Sequence, residues 1–151
     1  MKKHLIKLNS EEFCKITEEI LQNGHLLRFR ANGRSMAPTI IDGDVVTITS
    51  PAAELIRTGT IVLHRSPDSL HPLLHRIVGI KHKNGAVVIF TRGDIFCGHT
   101  ERITTDDILG IAVEVTRRGK TKKLNSLRQR LHGRLRTARQ KFRALARNLI
   151  N

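Results

Sequence analysis

The sequence has 151 residues and a formal net charge of +14, with no Trp, no Tyr and five Phe. It has no run close to the roughly 18–20 consecutive apolar residues that cross a bilayer, and its two cysteines, Cys14 and Cys97, stand far apart. This composition argues against a helical membrane protein and a disulfide framework, and it requires an aliphatic core. The N-terminus, MKKHLIKLNSEEF, reaches acidic residues before any useful apolar segment, so we expect no secretory signal and a cytoplasmic protein.

The charge is concentrated at the C-terminus. Residues 1–116 hold 14 of the 27 Lys and Arg and all 13 Asp and Glu, whereas residues 117–151 hold the other 13 Lys and Arg and no acid. This break in composition predicts a nearly neutral domain over residues 1–116 and a basic tail over residues 117–151.

The first predicted element is a helix over about residues 10–23. Ser10 is suited to cap its start, and Asn23-Gly24 is suited to end it. A short helical segment is also predicted in AAELIRTG. Runs rich in β-branched residues predict strands, with Asn84-Gly85 as a hairpin turn between two of them: HLLRFRA, VVTIT, TIVLHR, LLHRIVGIK, AVVIFTR and ILGIAVEVT. Six or so short strands predict a mainly β, curled antiparallel body over about residues 25–116.

The tail shows a different periodicity. From Leu124 to Leu149, apolar residues recur at intervals of three and four, and arginines fill the other faces, which predicts a long amphipathic helix. The residues expected to make its contacts are Leu127, Arg128, Leu131, Arg134, Leu135, Arg139, Phe142 and Arg143. An anionic membrane surface, bound peripherally, and a partner protein are both open as its target. Nucleic acid is less favoured, because the apolar stripe is long and Phe142 is the tail's only aromatic residue.

The segment GRSMAPTIIDGD, residues 33–44, carries the strongest chemical signal. Ser35 is followed by a proline and by an Asp-Gly-Asp turn, so a stiff loop presents its hydroxyl. LHRIV follows at residues 74–78 and TRGD at residues 91–94. A serine in a turn is ordinarily only a turn residue, and it is the order of the three motifs that sets this one apart.

These motifs resemble the superfamily of signal peptidases and LexA-like self-cleaving repressors, over about residues 30–115. The resemblance implies that Ser35 attacks a peptide carbonyl, that His75 is general base and then general acid, and that the amides of Arg34 and Ser35 form the oxyanion hole. His75 stands where bacterial members usually have lysine, as in the histidine-type enzymes of the endoplasmic reticulum and of archaea. The remaining motif positions are Gly33, Met36, Pro38, Gly43, Asp44 and Gly93.

Two features of the implied site stay open. Asp94 either orients His75 or only ends a strand, and His64 is the alternative base. Asp106 and Asp107 are more simply explained as a turn. The histidines show no zinc spacing such as HExxH, so neither a metal nor a cofactor is expected.

The resemblance implies an extended peptide substrate, such as a signal or leader sequence, that adds a strand beside the site. The main alternative is a LexA-like self-cleaving or non-catalytic regulatory domain, with the basic tail on nucleic acid or a partner. The short N-terminal stretch has no helix-turn-helix and no Ala-Gly dipeptide for self-cleavage, which favours the peptidase. The sequence predicts no oligomeric state.

Overall fold

A computed structural model describes residues 8–95 and 99–124 of the chain. One helix, α1, spans Ser10–Gln22, and 3₁₀ turns span Ala53–Leu55 and Thr105–Asp107. Eight strands follow in chain order: β1 Leu27–Arg30, β2 Val45–Thr49, β3 Ile61–Ser66, β4 Ser69–Lys83, β5 Ala86–Arg92, β6 Thr100–Ile103, β7 Ile108–Arg117 and β8 Lys120–Lys123. The predicted mainly β architecture is confirmed.

The strands form a single curled sheet, and every pairing in it is antiparallel. The strand order is β1-β2-β7-β3-β4-β5-β6, and β8 pairs with β7 beside this path. Asn84 and Gly85 form the predicted hairpin turn between β4 and β5, both with positive φ. Strand β1 lies at one edge of the order and β6 at the other.

The N-cap of helix α1 lies one residue before the predicted cap. The N-cap is Asn9 rather than Ser10, because the Asn9 side chain accepts from the amide of Glu12, and the Glu12 side chain accepts from the amide of Asn9. This reciprocal pair satisfies two amides that the first turn otherwise leaves unbonded. The helix buries Thr17 and Leu21 and ends at Asn23-Gly24, as predicted.

The curled sheet encloses two aliphatic clusters. The larger cluster joins α1 to β2 and β7, and includes Leu21, Met36, Val46, Ile48, Leu109 and Val115. The smaller cluster joins β3, β4, β5 and β6, and includes Val62, Ile77, Ile89, Ile103 and Ile111. Met36 and Ile40 lie in the larger cluster, so the loop that carries Ser35 is anchored in the core.

The sheet continues past residue 116, where the sequence predicts the start of the basic tail. Strand β7 runs to Arg117, turns at Arg118-Gly119 and pairs with β8. Leu124 is only 7% exposed, and its amide bonds to the carbonyl of Val113 at 2.7 Å. The start of the basic region is therefore a hairpin of the sheet, and the helix predicted through Leu127–Arg143 lies outside the described residues. Within residues 8–95 and 99–124, no helix has the length and apolar character to cross a membrane.

Candidate active site

Ser35 lies in a turn that links β1 to β2, and it is exposed to solvent. Its neighbour Met36 is buried, and the Met36 carbonyl accepts from the amide of Ile40, which is also buried. At the other end of the loop, the amide of Gly33 donates to Oδ1 of Asp42 at 3.0 Å. The loop is thus fixed at both sides of Ser35 while the hydroxyl side remains accessible, as a presented nucleophile requires.

Gly93 packs against the backbone of this turn. A Cβ placed on Gly93 would lie 2.4 Å from the carbonyl oxygen of Ser35 and 3.1 Å from its Cβ, so only glycine allows the two backbones to approach this closely. The amide of Ile95 then donates to the same Ser35 carbonyl at 2.9 Å. The Gly-Asp segment after β5 is therefore packed directly against the Ser35 turn.

The sheet register brings His75 to the same place. On β4 and β5, Arg76 pairs with Arg92. Because the strands are antiparallel, His75, one residue before Arg76, lies opposite Gly93, one residue after Arg92. The register therefore places the predicted base beside Gly93, the residue on which the serine turn packs.

The predicted oxyanion donors have suitable surroundings. Arg34 and Ser35 are both exposed, and neither backbone amide donates to another residue within the described part of the chain. Gly33 has φ of +101° with open space around its missing Cβ, so its positive φ accounts for glycine at this position better than crowding does. If this turn forms an oxyanion hole, its donors are backbone amides, because glycine supplies no side chain at position 33.

His75 is a buried imidazole, 8% exposed, in the middle of β4. Burial lowers its pKa, and the neighbouring His64 ring, whose centroid is 5.8 Å away, lowers it further. His75 is therefore neutral near pH 7 and able to accept a proton. Its Nδ1 is buried and has no hydrogen-bond partner in the described structure.

Asp94 has another set of partners from the one predicted for a triad. Its two oxygens accept from Nε and Nη2 of Arg76, each at 2.7 Å, and Oδ2 also accepts from the Thr39 hydroxyl. Nδ1 of His75 has no partner among the described residues, so Asp94 makes no hydrogen bond to this nitrogen. Asp94 acts on His75 as a nearby charge that works to raise the pKa of the imidazole, and it ties the serine loop to β4 through Thr39.

Asp44 holds the other end of the loop. It is buried and accepts from the amide of Ile41 at 2.9 Å and from Nη2 of Arg117 at 2.7 Å. The hydrogen bond from Arg117 lowers the pKa of Asp44. The same guanidinium reaches the carbonyls of Pro38 and Thr39, each at 3.3 Å. Arg117, which the charge pattern assigned to the tail, is therefore the last residue of β7 and braces the serine loop.

A second cluster lies behind His75. His64 on β3 is fully buried; its Nδ1 lies 2.7 Å from the Arg65 carbonyl, and its Nε2 lies 3.2 Å from Oγ1 of Thr91 and 3.7 Å from Oε2 of Glu101. The sequence singled out His64 only as an alternative base and missed Glu101 altogether. Glu101 is in β6, a short polar strand with no clear sequence signal, and only the register, in which Thr91 pairs with Glu101, brings it near.

Asp106 and Asp107 lie in the 3₁₀ turn before β7. The Thr104 amide donates to Oδ2 of Asp107 at 2.7 Å, so this carboxylate caps the turn. The simpler interpretation of TTDD as a turn is confirmed.

A groove of about 860 Å³ lies between α1 and β1. Phe13 and Ile16 of the helix line one side, and Leu27 and Phe29 of the strand line the other. At one end the groove reaches Asn32, Asp42 and Gly43, which belong to the loop that carries Ser35. The groove therefore borders the loop that carries Ser35, but Ser35 and His75 do not line it.

Neither a protein-family model nor a curated protein matches this chain. The functional argument therefore depends on the geometry of the site itself.

Proposed function

We propose that this chain is a serine endopeptidase of the signal peptidase and LexA-like type, in which Ser35 is the nucleophile and His75 is the general base. The observation that carries the proposal is the close packing of the exposed Ser35 turn on Gly93, beside a buried and neutral His75. The curled antiparallel sheet agrees with this type of peptidase. The resemblance in motifs and the packing of those motifs in space are independent supports.

The reaction follows from the chemistry of these groups. His75 takes the proton of the Ser35 hydroxyl as its oxygen bonds to the peptide carbonyl carbon, and the carbonyl oxygen becomes an oxyanion. The amides of Arg34 and Ser35 stabilise that charge. His75 then gives the proton to the leaving amine as the peptide bond breaks. Water attacks the resulting ester with His75 again as base, which releases the new carboxyl end and restores Ser35.

The groove and the sheet edge support an extended peptide as the substrate. Within the described residues, strand β1 pairs only with β2 and ends the strand order, so an added peptide strand is able to pair along its other side. The chain leaves β1 at Arg30 and enters the serine turn at Gly33, so a peptide along this edge runs toward Ser35. A signal or leader sequence, which is extended when cleaved, fits this path.

The test is cleavage of a mixed peptide library, read by mass spectrometry, with labelling by a fluorophosphonate serine probe. The wild-type chain should cleave and label, with a rate that falls as pH drops below the ordinary histidine range, because protonated His75 cannot act as base. Ser35→Ala should abolish both signals, and His75→Gln should lower the cleavage rate at least about 100-fold.

Matched controls separate catalysis from folding. Ser69→Ala removes a different serine hydroxyl, and His82→Gln changes an exposed histidine on the same strand as His75. Both controls should retain wild-type cleavage and labelling. A folded wild-type chain that neither cleaves nor labels, or a Ser35→Ala chain that still labels at the wild-type rate, rules out the proposal.

A further inference from the structure

The geometry points to a binding site for one divalent metal ion of the zinc class, formed by His64, His75 and Glu101. The three side chains come from β3, β4 and β6, and all three are at least nine-tenths buried. One ligand atom from each lies within 4.8 Å of the other two. Two imidazoles and one carboxylate are a ligand set that Zn²⁺ prefers, with a fourth position left for water.

His64 presents its Nε2 to the cluster. Its Nδ1 lies 2.7 Å from the carbonyl oxygen of Arg65, which can only accept, so Nδ1 carries the proton and Nε2 carries the lone pair. A ring nitrogen held by a backbone carbonyl in this way fixes the tautomer and orientation of metal-binding histidines. The Thr91 hydroxyl reaches Nε2 at 3.2 Å, a long contact that a metal ion would displace.

His75 and Glu101 supply atoms that have no partner. Nδ1 of His75 and Oε2 of Glu101 are both buried without a hydrogen bond in the described structure, and each residue is 8% exposed. Buried polar atoms are almost always bonded, so two such atoms in one cluster indicate an absent ligand. The other carboxylate oxygen, Oε1, accepts from the Ser66 hydroxyl at 2.8 Å, which holds Glu101 in place.

The distances fit one ion with a small adjustment. Ligands about 2.1 Å from a tetrahedral zinc ion are about 3.4 Å from one another. Nε2 of His64 and Oε2 of Glu101 are 3.7 Å apart, and the full set lies within 4.8 Å. Bringing the three ligand atoms to the zinc spacing requires side-chain movements of about 1 Å, which small rotamer changes of Glu101 and His75 supply.

The charge balance also favours a cation. Among the described residues, the Glu101 side chain accepts from the Ser66 hydroxyl and lies 3.7 Å from Nε2 of His64, and no Lys or Arg forms an ion pair with it. A buried carboxylate without a counter-charge is costly, whereas neutral imidazoles are the form that binds metal. A divalent ion at this point completes the hydrogen-bonding and charge requirements together.

The metal site and the proposed peptidase share His75. Metal binding therefore has a consequence for catalysis, which rests on the proposed function. A neutral imidazole has one lone pair. If the ion occupies it, the other ring nitrogen keeps its proton and cannot accept one from Ser35. Zinc at this site therefore switches the peptidase off.

The test starts with the full chain after chelator treatment, followed by calorimetric titration with Zn²⁺ and by the visible absorption of bound Co²⁺. The wild-type chain should bind one zinc per chain at its tightest site and melt at a higher temperature when zinc is present. Glu101→Gln and His64→Gln should each weaken that site by about 100-fold or more. The controls His82→Gln and Glu54→Gln, both at exposed positions, should bind as wild type does.

A measurement on the wild-type chain tests the metal site even where a variant fails to fold. In nitrogen NMR spectra, one equivalent of zinc should shift the ring signals of His64 and His75 and leave that of His82 unchanged. Equal zinc affinity in wild type, Glu101→Gln and His64→Gln, or no shift at His64 and His75, overturns the metal site.

Serine-probe labelling then tests the link to catalysis. Stoichiometric zinc should suppress labelling of Ser35, and chelator should restore it. Labelling that persists with zinc bound refutes the link and leaves the site standing. A chelator-treated chain that binds zinc on titration, but neither cleaves nor labels before zinc is added, refutes the proposed peptidase instead.

Discussion

The contact between Gly93 and Ser35 gives a prediction whose size can be worked from the structure. In Gly93→Ala, the new Cβ would meet the Ser35 carbonyl oxygen at 2.4 Å, whereas ordinary contacts begin at 3.4 Å, so the turn must move by about 1 Å. No positive φ is involved, so the effect comes from contact alone. We expect a loss of about 1–3 kcal/mol in the free energy of unfolding, or about 4–12 °C in Tm. A 1 Å displacement of the nucleophile is also expected to lower kcat/KM by about 100-fold.

Three measurements check the Gly93→Ala prediction. Thermal melts report the stability, and probe labelling reports the position of Ser35. Hydrogen exchange at the Ile95 amide, which donates to Ser35 at 2.9 Å, reports the contact itself. Gly79→Ala is the control, because its Cβ would meet Phe90 at an ordinary 3.8 Å, and it should change little. Wild-type values of Tm, labelling and Ile95 exchange in Gly93→Ala would refute the argument that Gly93 positions the serine turn.

Three further predictions concern the framework around the site. Asp44→Asn should lower the free energy of unfolding at pH 7, because the hydrogen bond from Arg117 lowers the pKa of Asp44 and stabilises its ionised form. The stabilising contribution of ionised Asp44 is present above the ordinary carboxyl pKa and is lost as pH falls through the lowered native pKa. The difference in the free energy of unfolding between wild type and Asp44→Asn, measured by urea melts, should therefore shrink toward pH 3. A difference that stays constant with pH contradicts this linkage. Asp94→Ala removes the carboxylate that pairs with Arg76, whose side chain is only 6% exposed. This change should lower the free energy of unfolding by about 3–5 kcal/mol in the same melts. The control Asp68→Ala, at an exposed position, should change it by no more than about 0.5 kcal/mol. Asn9→Ala should lower the free energy of unfolding by about 1 kcal/mol and raise amide hydrogen exchange in the first turn of α1. Unchanged exchange in that turn would mean that Asn9 does not cap the helix.

Strands with a strong β-branched pattern could be predicted from the sequence almost to the residue. VVTIT corresponds to β2 and AVVIFTR to β5, because their apolar side chains are packed in the two clusters. Strands β6 and β8 could not be predicted in this way. KTKK of β8 is exposed at every position, so its strand form comes from pairing with β7 rather than from its own side chains. The boundary placed at residue 116 fell inside this hairpin for the same reason.

The site could be predicted only in part. Ser35, His75 and Gly93 carry local motifs, and the structure brings their segments together. The partner of Asp94 could not be predicted, because its pairing with Arg76 depends on the close approach of β4 to the segment after β5. Glu101 carries no local motif at all, and a spacing rule for metal sites fails when each ligand comes from a different strand.

The burial of His75 decides how the two proposals relate. A buried imidazole loses the charged form, which leaves a lone pair free to take the proton of Ser35 at neutral pH. The same neutral lone pair, beside a buried carboxylate and a second neutral imidazole, is what a zinc ion binds. If His75 served only as a general base, we would expect a carboxylate to accept a hydrogen bond from its Nδ1. Here Asp94 accepts from Arg76 instead, and Nδ1 of His75 has no partner in the described structure. The geometry around His75 therefore favours a base whose availability depends on whether a metal ion is bound.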